Sequence, residues 1–177
     1  DDGLYFSFLD RGEEIRIHEG GGFTYPLISK FGDYIAYNKA EDLYVYDLKG
    51  KKYEKVGNEV KSSYGAIPYT WIDNDTIVYG ENRPGFTVYN LSTGEKEDHL
   101  DQYYYDNFKT VDGDALYGIR ISEWITEEGS FSFNEGIVEV KLAGYDRENK
   151  IFPTKLIIEG RKTTGEILGY RPLIWDI

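Results

Sequence analysis

Few side chains in this sequence are spaced for catalysis or metal binding. Its 177 residues include no cysteine and only two histidines, His18 and His99. The absence of cysteine rules out a disulfide scaffold and thiolate metal ligands. Both histidines end short segments of alternating polar and apolar residues, which is typical of exposed edge strands. We therefore predict that both lie on the surface and that neither is catalytic.

Two acidic triplets have the oxygen-rich composition of a calcium loop. They are Asp73-Asn74-Asp75 and Asp112-Gly113-Asp114, and Ca²⁺ takes several carboxylate and carbonyl ligands from such loops. Both triplets stand just before a strand-like segment, however, where Asp, Asn and Gly supply the backbone conformations of a tight turn. We interpret them as turns, and the sequence predicts no metal and no cofactor.

The motifs of common hydrolases are missing. No Gly-x-Ser-x-Gly segment occurs, so the nucleophile of that class is not in this sequence. The adjacent pairs Glu13-Glu14 and Glu127-Glu128 would point to opposite faces of a strand, and spacing alone does not make either an acid/base pair. We therefore predict no catalytic residues here and do not expect this chain to be an enzyme on its own.

Two aromatic groups are the candidates for partner binding. Tyr103 and Tyr105 precede a predicted inner strand, and alternation would direct both rings the same way, either as a ligand platform or as packing between sheets. The second group, Trp124, Phe131 and Phe133, lies in the long segment 120–135. Long connections in compact domains are often functional. The alternative is a pair of simply elongated strands that protrude from the fold.

A sequence repeat organises the elements that position these residues. Four pairs of matching residues are each 42 positions apart: Pro26 and Pro68, Asp33 and Asp75, Ile35 and Ile77, Tyr37 and Tyr79. From the second copy to the third, the early offset is 39 (Asp75 to Asp114) and the late offset is 51 (Leu91 to Leu142). The difference places 12 extra residues between Asp114 and Ile137. Short alternating strands repeated about every 40 residues are typical of a β-propeller.

The sequence therefore predicts an all-β propeller of about four blade units, the first and last incomplete. The predicted units are residues 1–24, 25–60, 61–101, 102–160 with an insertion at 120–135, and 161–177. Because the last apolar strand stops abruptly and no initiator methionine is present, we expect part of a larger ring of about six to eight blades. A closed four-bladed ring and a dimer of half-rings are the alternatives.

The repeat resembles that of TolB-like propellers, and more broadly WD40-like ones. The resemblance is carried by 31–37, Phe-Gly-Asp-Tyr-Ile-Ala-Tyr, and 42–48, Asp-Leu-Tyr-Val-Tyr-Asp-Leu, with a second copy at 74–79 and 87–91. Lys141 departs from it, since the repeat has Asp there. The resemblance implies either a non-catalytic binding scaffold or the propeller portion of a larger enzyme. Prolyl-oligopeptidase-type peptidases and polysaccharide lyases are such enzymes, and fold analogy does not choose between scaffold and enzyme.

Charge narrows the choice of partner. The net charge of −12 repels phosphate backbones, so a nucleic-acid partner is not expected, and no apolar run reaches the ~20 residues of a membrane helix. We expect a protein or carbohydrate partner, with self-association through unpaired terminal strands as a further possibility. An acidic, cysteine-free, Tyr-rich β protein is typical of exported bacterial proteins, so we expect an extracellular, periplasmic or cell-surface location.

Overall fold

Tyr-, Val- and Ile-rich segments form the strands of the protein, and Asp-, Asn- and Gly-rich turns separate them. The computed structural model describes residues 2–60, 67–111, 115–126 and 129–159, with the backbone alone for 106, 110–111, 123–126 and 129–134. Within these ranges the chain is all β, and the strands of each sheet pair antiparallel. The described residues include no helix able to span a bilayer.

A hairpin and three four-stranded sheets follow one another along the chain. The hairpin consists of β1 (Gly3–Phe8) and β2 (Glu13–Glu19). The first sheet contains β3 (Phe23–Ile28), β4 (Tyr34–Lys39), β5 (Asp42–Asp47) and β6 (Lys52–Gly57). The second contains β7 (Tyr69–Trp71), β8 (Thr76–Tyr79), β9 (Phe86–Asn90) and β10 (Glu95–His99). The third contains β11 (Tyr104–Val111), β12 (Ala115–Thr126), β13 (Gly129–Lys141) and β14 (Thr154–Glu159). Strand order in every sheet is chain order.

The sheets pack face to face, because their second strands are apolar on both faces. In β4, Ile35 and Tyr37 pack towards Ile17 of the hairpin, whereas Ala36 packs towards the second sheet. In β8, Ile77 faces back to the first sheet and Val78 faces forward to the third. Burial on both faces explains why these strands read as continuous apolar runs rather than as alternating ones.

The repeat predicts equivalent buried positions, and the structure confirms one set of them. Ile35, Ile77 and Leu116 are each at most 2% exposed and face the preceding sheet. Leu48, Leu91 and Leu142 also occupy equivalent positions, just after the third strand of each sheet, but they are only half-buried. The reason is that these leucines lie at the end of the sheet, where the neighbouring sheet covers them only in part.

The first strands of the first and third sheets share a local irregularity that the sequence did not reveal. The pairing register shifts between Thr24 and Leu27 in β3, and between Asp106 and Lys109 in β11. At each shift one residue adopts a positive φ, Tyr25 at 57° and Asn107 at 52°. A bulge of this kind bends the strand. The Trp71 indole N–H donates to the backbone oxygen of Leu27 at 3.0 Å, which joins the first strands of two adjacent sheets.

Because successive strands run in opposite directions, the connections between them lie alternately at two opposite ends of the packed sheets. At one end, here called the turn end, lie the connections β3–β4, β5–β6, β7–β8 and β9–β10. Aspartate side chains stabilise two of these turns. Asp47 accepts from the backbone N–H groups of Lys49 and Gly50, and Asp73 accepts from those of Asp75 and Thr76. This geometry confirms the interpretation of the first acidic triplet as a turn. Residues 112–114 of the second triplet lie outside the described residues.

At the opposite end, here called the hairpin end, lie the connections β2–β3, β4–β5, β6–β7, β8–β9, β10–β11 and β12–β13. Contacts between sheets join like ends. At the turn end, the side-chain amide of Asn74 donates a hydrogen bond to the Asp33 carboxylate of the adjacent sheet at 2.8 Å. At the hairpin end, the Gly85 N–H donates a hydrogen bond at 2.7 Å to the backbone oxygen of Tyr103, just before the first strand of the adjacent sheet. The two ends are therefore distinct surfaces that run across all the sheets.

Strands β12 and β13 are far longer than their counterparts. They contain 12 and 13 residues, whereas β4, β5, β8 and β9 contain four to six. Residues 120–135, here called the extended hairpin, thus prolong the third sheet at the hairpin end. The backbone corresponds to the elongated-strand alternative rather than to an irregular loop. The predicted unit 161–177 lies outside the described residues, so the number of blades and ring closure stay predictions.

Candidate functional site

The extended hairpin carries the three aromatic residues singled out in the sequence. Their side chains lie outside the part of the chain that the structure describes, but the backbone register is defined. Trp124 stands opposite Phe131, and Ser122 stands opposite Phe133. Since residues two apart in a strand share a face, Trp124, Phe131 and Phe133 occupy positions on one face of the ribbon. The register therefore places the three aromatic positions on a common face, whereas the sequence grouped them only by their proximity along the chain.

The two tyrosines predicted as a platform have different environments. Tyr105 is 5% exposed, its ring contacts Phe86 and Phe108, and its hydroxyl donates to Asp101. It is therefore a packing residue between sheets, which corrects the platform hypothesis for this position. Tyr103 is half-buried just before β11, and the Arg120 guanidinium lies 4.3 Å from its ring centre. Tyr103 therefore contacts the base of the extended hairpin, which begins at Arg120.

His99 is buried, and its predicted surface position is wrong. Its ring stacks on Phe86 at 4.5 Å between centroids. Nδ1 accepts the Phe152 N–H at 2.9 Å, so the proton lies on Nε2, 3.5 Å from the Asp101 carboxylate. Burial raises the pKa of Asp101, but hydrogen bonds from His99 and Tyr105 outweigh it and hold that pKa below its usual value. The ring is therefore held between sheets, with Nδ1 bonded to the backbone and Nε2 facing the Asp101 carboxylate.

His18 is also buried, at 8% exposure, against the surface prediction. Its ring lies between the hairpin and the first sheet, stacked on Tyr53 at 4.1 Å and edge-on to Tyr44. The Lys39 ammonium lies 3.0 Å from Nε2. Because an ammonium only donates, Nε2 is the acceptor, and Nδ1–H donates to the Tyr37 hydroxyl at 2.9 Å. The imidazole is thus neutral, in a tautomer fixed by its two neighbours.

An open cleft adjoins His18, with a volume of about 470 Å³. This cleft, here called the His18 cleft, is lined by Arg16, Ile17, His18, Glu19, Lys39 and Tyr53.

The two histidines share a position in the sequence that could have indicated their burial. Each lies five residues before the first strand of the next sheet, His18 before Phe23 and His99 before Tyr104. Alternation alone missed it, because alternation identifies a face but not whether another sheet covers that face.

Acidification is expected to destabilise the fold through His18. Burial, and then the positive charge of Lys39, lowers the pKa of His18 below its ordinary value. The unfolded chain therefore binds more protons, and the free energy of unfolding falls as pH drops from about 6.5 through the lower folded-state pKa. Urea unfolding at pH 7.5 and 5.5 measures this loss, which His18→Gln should reduce. An unchanged pH dependence in that variant would contradict the assignment.

The positive charge of Arg83, in the β8–β9 connection at the hairpin end, is neutralised by two carboxylates. Its guanidinium lies 2.7 Å from the Glu81 carboxylate and 2.9 Å from that of Asp98. It also donates to the Thr87 hydroxyl at 3.0 Å. These bonds fix the β8–β9 connection on β10 and leave Arg83 little capacity for an external anion.

Among the residues that the structure describes, no group of three or more His, Cys, Asp and Glu side chains is placed to hold a metal ion.

Comparison with known proteins supports the fold. No protein-family model matches the sequence, and no curated protein matches it. Among solved structures, the tricorn protease superposes with a TM-score of 0.58 at 12% sequence identity, over 85% of this chain. The chain spans 19% of the length of that protein, which contains β-propellers. The protein therefore has a β-propeller-like fold, whereas the resemblance to the TolB-like family stays a prediction.

Proposed function

We propose that the chain is a non-catalytic propeller-type scaffold that binds a protein or carbohydrate partner at its hairpin end. The observation that carries the proposal is the extended hairpin, which prolongs one sheet at that end and aligns Trp124, Phe131 and Phe133 in register. Large aromatic residues with a polar rim are the usual anchors of a binding surface. Glu123, Glu127 and Glu128 are acidic neighbours in the sequence, and we propose them as the source of that rim.

The described histidines favour binding over catalysis. His18 and His99 each use both ring nitrogens for contacts within the protein. An exported location, at the cell surface or in the periplasm, fits the acidic, cysteine-free composition and belongs to the same proposal. Self-association through a terminal strand is the corresponding proposal for assembly.

Replacing Trp124 with alanine tests this function. The partner captured from the native source should bind more weakly by about 1 kcal/mol or more, the usual threshold for a contributing interface residue. The melting temperature should change little if the ring lies at the surface. Phe31→Ala is the matched control, since Phe31 is an aromatic residue 76% exposed at the turn end. Equal partner affinity for Trp124→Ala and Phe31→Ala, at intact stability, would contradict the proposal.

A second candidate function is that of the propeller portion of a larger enzyme, a peptidase or a polysaccharide lyase, with catalytic residues outside these 177 residues. The similarity to the tricorn protease favours the peptidase version, and the chain covers only 19% of that protein. The flanking coding sequence distinguishes the candidates. A catalytic domain encoded in the same reading frame would support the enzyme, whereas further blades alone would support the scaffold.

A further inference from the structure

The His18 cleft holds a positive charge that the described residues do not neutralise. The ammonium of Lys39 contacts the neutral imidazole of His18 at 3.0 Å and the backbone oxygen of Glu19 at 2.9 Å. Within the described ranges, no carboxylate lies within ion-pair distance of it, whereas Lys49 and Lys55 each pair with one carboxylate and Arg83 pairs with two. In a chain of net charge −12, such a cation is the natural position for a bound anion.

The ammonium is fixed in place before any ligand arrives. Two of its three N–H bonds are used by His18 and Glu19, and it lies 5.4 Å from the ring centre of Phe23. One N–H therefore remains for an acceptor in the cleft. A group held in its bound position loses little side-chain entropy on binding. The other cation that lines the cleft, Arg16, is paired with Glu19 at 3.2 Å, so the cleft presents one available charge.

A flat ring stands beside this charge. Tyr53 is 49% exposed, and its inner face stacks on His18 at 4.1 Å with an angle of 14° between the rings. Tyr44 supports the Tyr53 ring edge-on at 6.0 Å. A supported aromatic ring with an apolar face and a polar hydroxyl suits a ligand that has both kinds of surface. The cleft is open and lined mainly by polar side chains, unlike the enclosed apolar pockets typical of aromatic ligands.

We propose that the His18 cleft binds a single acidic sugar residue, a hexuronate, with its carboxylate on Lys39 and its ring against the exposed part of Tyr53 that borders the cleft. The sugar hydroxyls match the polar lining, since Arg16 donates and the Glu19 carboxylate accepts. One carboxylate matches one available ammonium. A polyanion is disfavoured, because the overall negative charge of the protein repels it, whereas a single charge in contact with Lys39 is governed by its immediate surroundings at physiological salt.

Titration with glucuronate and glucose, followed by NMR, tests this proposal, since the two sugars differ only in the carboxylate. We expect glucuronate to bind about tenfold more tightly than glucose, and also more tightly than acetate, which lacks the ring. Lys39→Met and Tyr53→Ala should each weaken glucuronate binding at least tenfold. Lys49→Met, which removes a lysine at the turn end, should leave it unchanged.

Three results would overturn the proposal: glucuronate that binds no better than glucose, acetate that binds as well as glucuronate, or binding that survives in both cleft variants at unchanged melting temperature. If Lys39→Met fails to fold because His18 loses its partner, Tyr53→Ala decides, since Tyr53 lies at the surface. The His18 cleft and the extended hairpin belong to different parts of the fold. Failure of one test therefore leaves the other proposal intact.

Discussion

Replacing Gly85 with alanine is expected to lower the free energy of unfolding by about 3 kcal/mol or more, as backbone strain is added to a steric clash. Gly85 has a φ of +97°, and a Cβ there would lie 2.0 Å from the backbone oxygen of His99. No rotamer relieves a clash with backbone, so the β8–β9 connection must move away from the end of β10. Urea denaturation followed by tryptophan fluorescence measures the loss.

Gly94→Ala separates the two causes of that loss. Gly94 also has a positive φ, +72°, but a Cβ at this position would meet nothing within 4 Å. Its substitution should therefore cost only the backbone strain, about 1–2 kcal/mol. Equal losses in the two variants would show that the close approach at Gly85 does not contribute to stability, which would contradict the described contact between β8–β9 and β10–β11.

Truncation of Ile77 to alanine is expected to cost about 2–5 kcal/mol, the range for a fully buried aliphatic side chain. Ile77 is 0% exposed and lies between the first two sheets, in one core cluster with Ala36, Val45 and Tyr79. The loss combines reduced burial of apolar surface with a cavity that a close-packed interior fills only in part. Thermal and urea unfolding both measure it.

Leu9→Ala is the matched control for Ile77→Ala. Leu9 is 99% exposed in the β1–β2 turn, so its truncation should change stability by no more than about 0.5 kcal/mol. A loss below about 1 kcal/mol for Ile77→Ala, well under the range for a buried aliphatic residue, would mean that the sheets do not pack on each other through this position. The repeat would then describe separate sheets rather than a stack.

The repeat made the core predictable, because equal spacing in the sequence gives equal positions in successive sheets. Ile35, Ile77 and Leu116 illustrate this: each lies in the second strand of its sheet and faces the preceding one. The offset does not encode how far the neighbouring sheet extends. For that reason the half-burial of Leu48 and Leu91 was not predictable from it.

The candidate sites were less predictable, since they depend on contacts between sheets. The alternation around His18 correctly indicates a strand but not that Tyr53 and Tyr44 of the next sheet cover the ring. Similarly, Tyr105 shares its direction with Tyr103 in the sequence pattern, yet the packing of Phe86 and Phe108 encloses it. Long-range packing thus decides whether an aromatic residue is a surface for a ligand or part of the core.

At the extended hairpin, the sequence gives the length of the insertion and the backbone gives the pairing of its residues. The sequence located 12 extra residues between Asp114 and Ile137, and the structure shows strands prolonged by antiparallel pairing through Thr126 and Gly129. The pairing register then relates Trp124 to Phe131. Spacing alone did not supply this relation, because the exact position of the turn was unknown.

Hydrogen–deuterium exchange of the chain with and without its captured partner tests the central claim most directly. If the hairpin end is the binding surface, the partner should slow exchange in peptides that cover residues 118–136, while peptides that cover the turn-end connections at 29–33 and 72–75 keep their rates. Protection confined to the turn end, with unchanged exchange throughout 118–136, would contradict the proposed function.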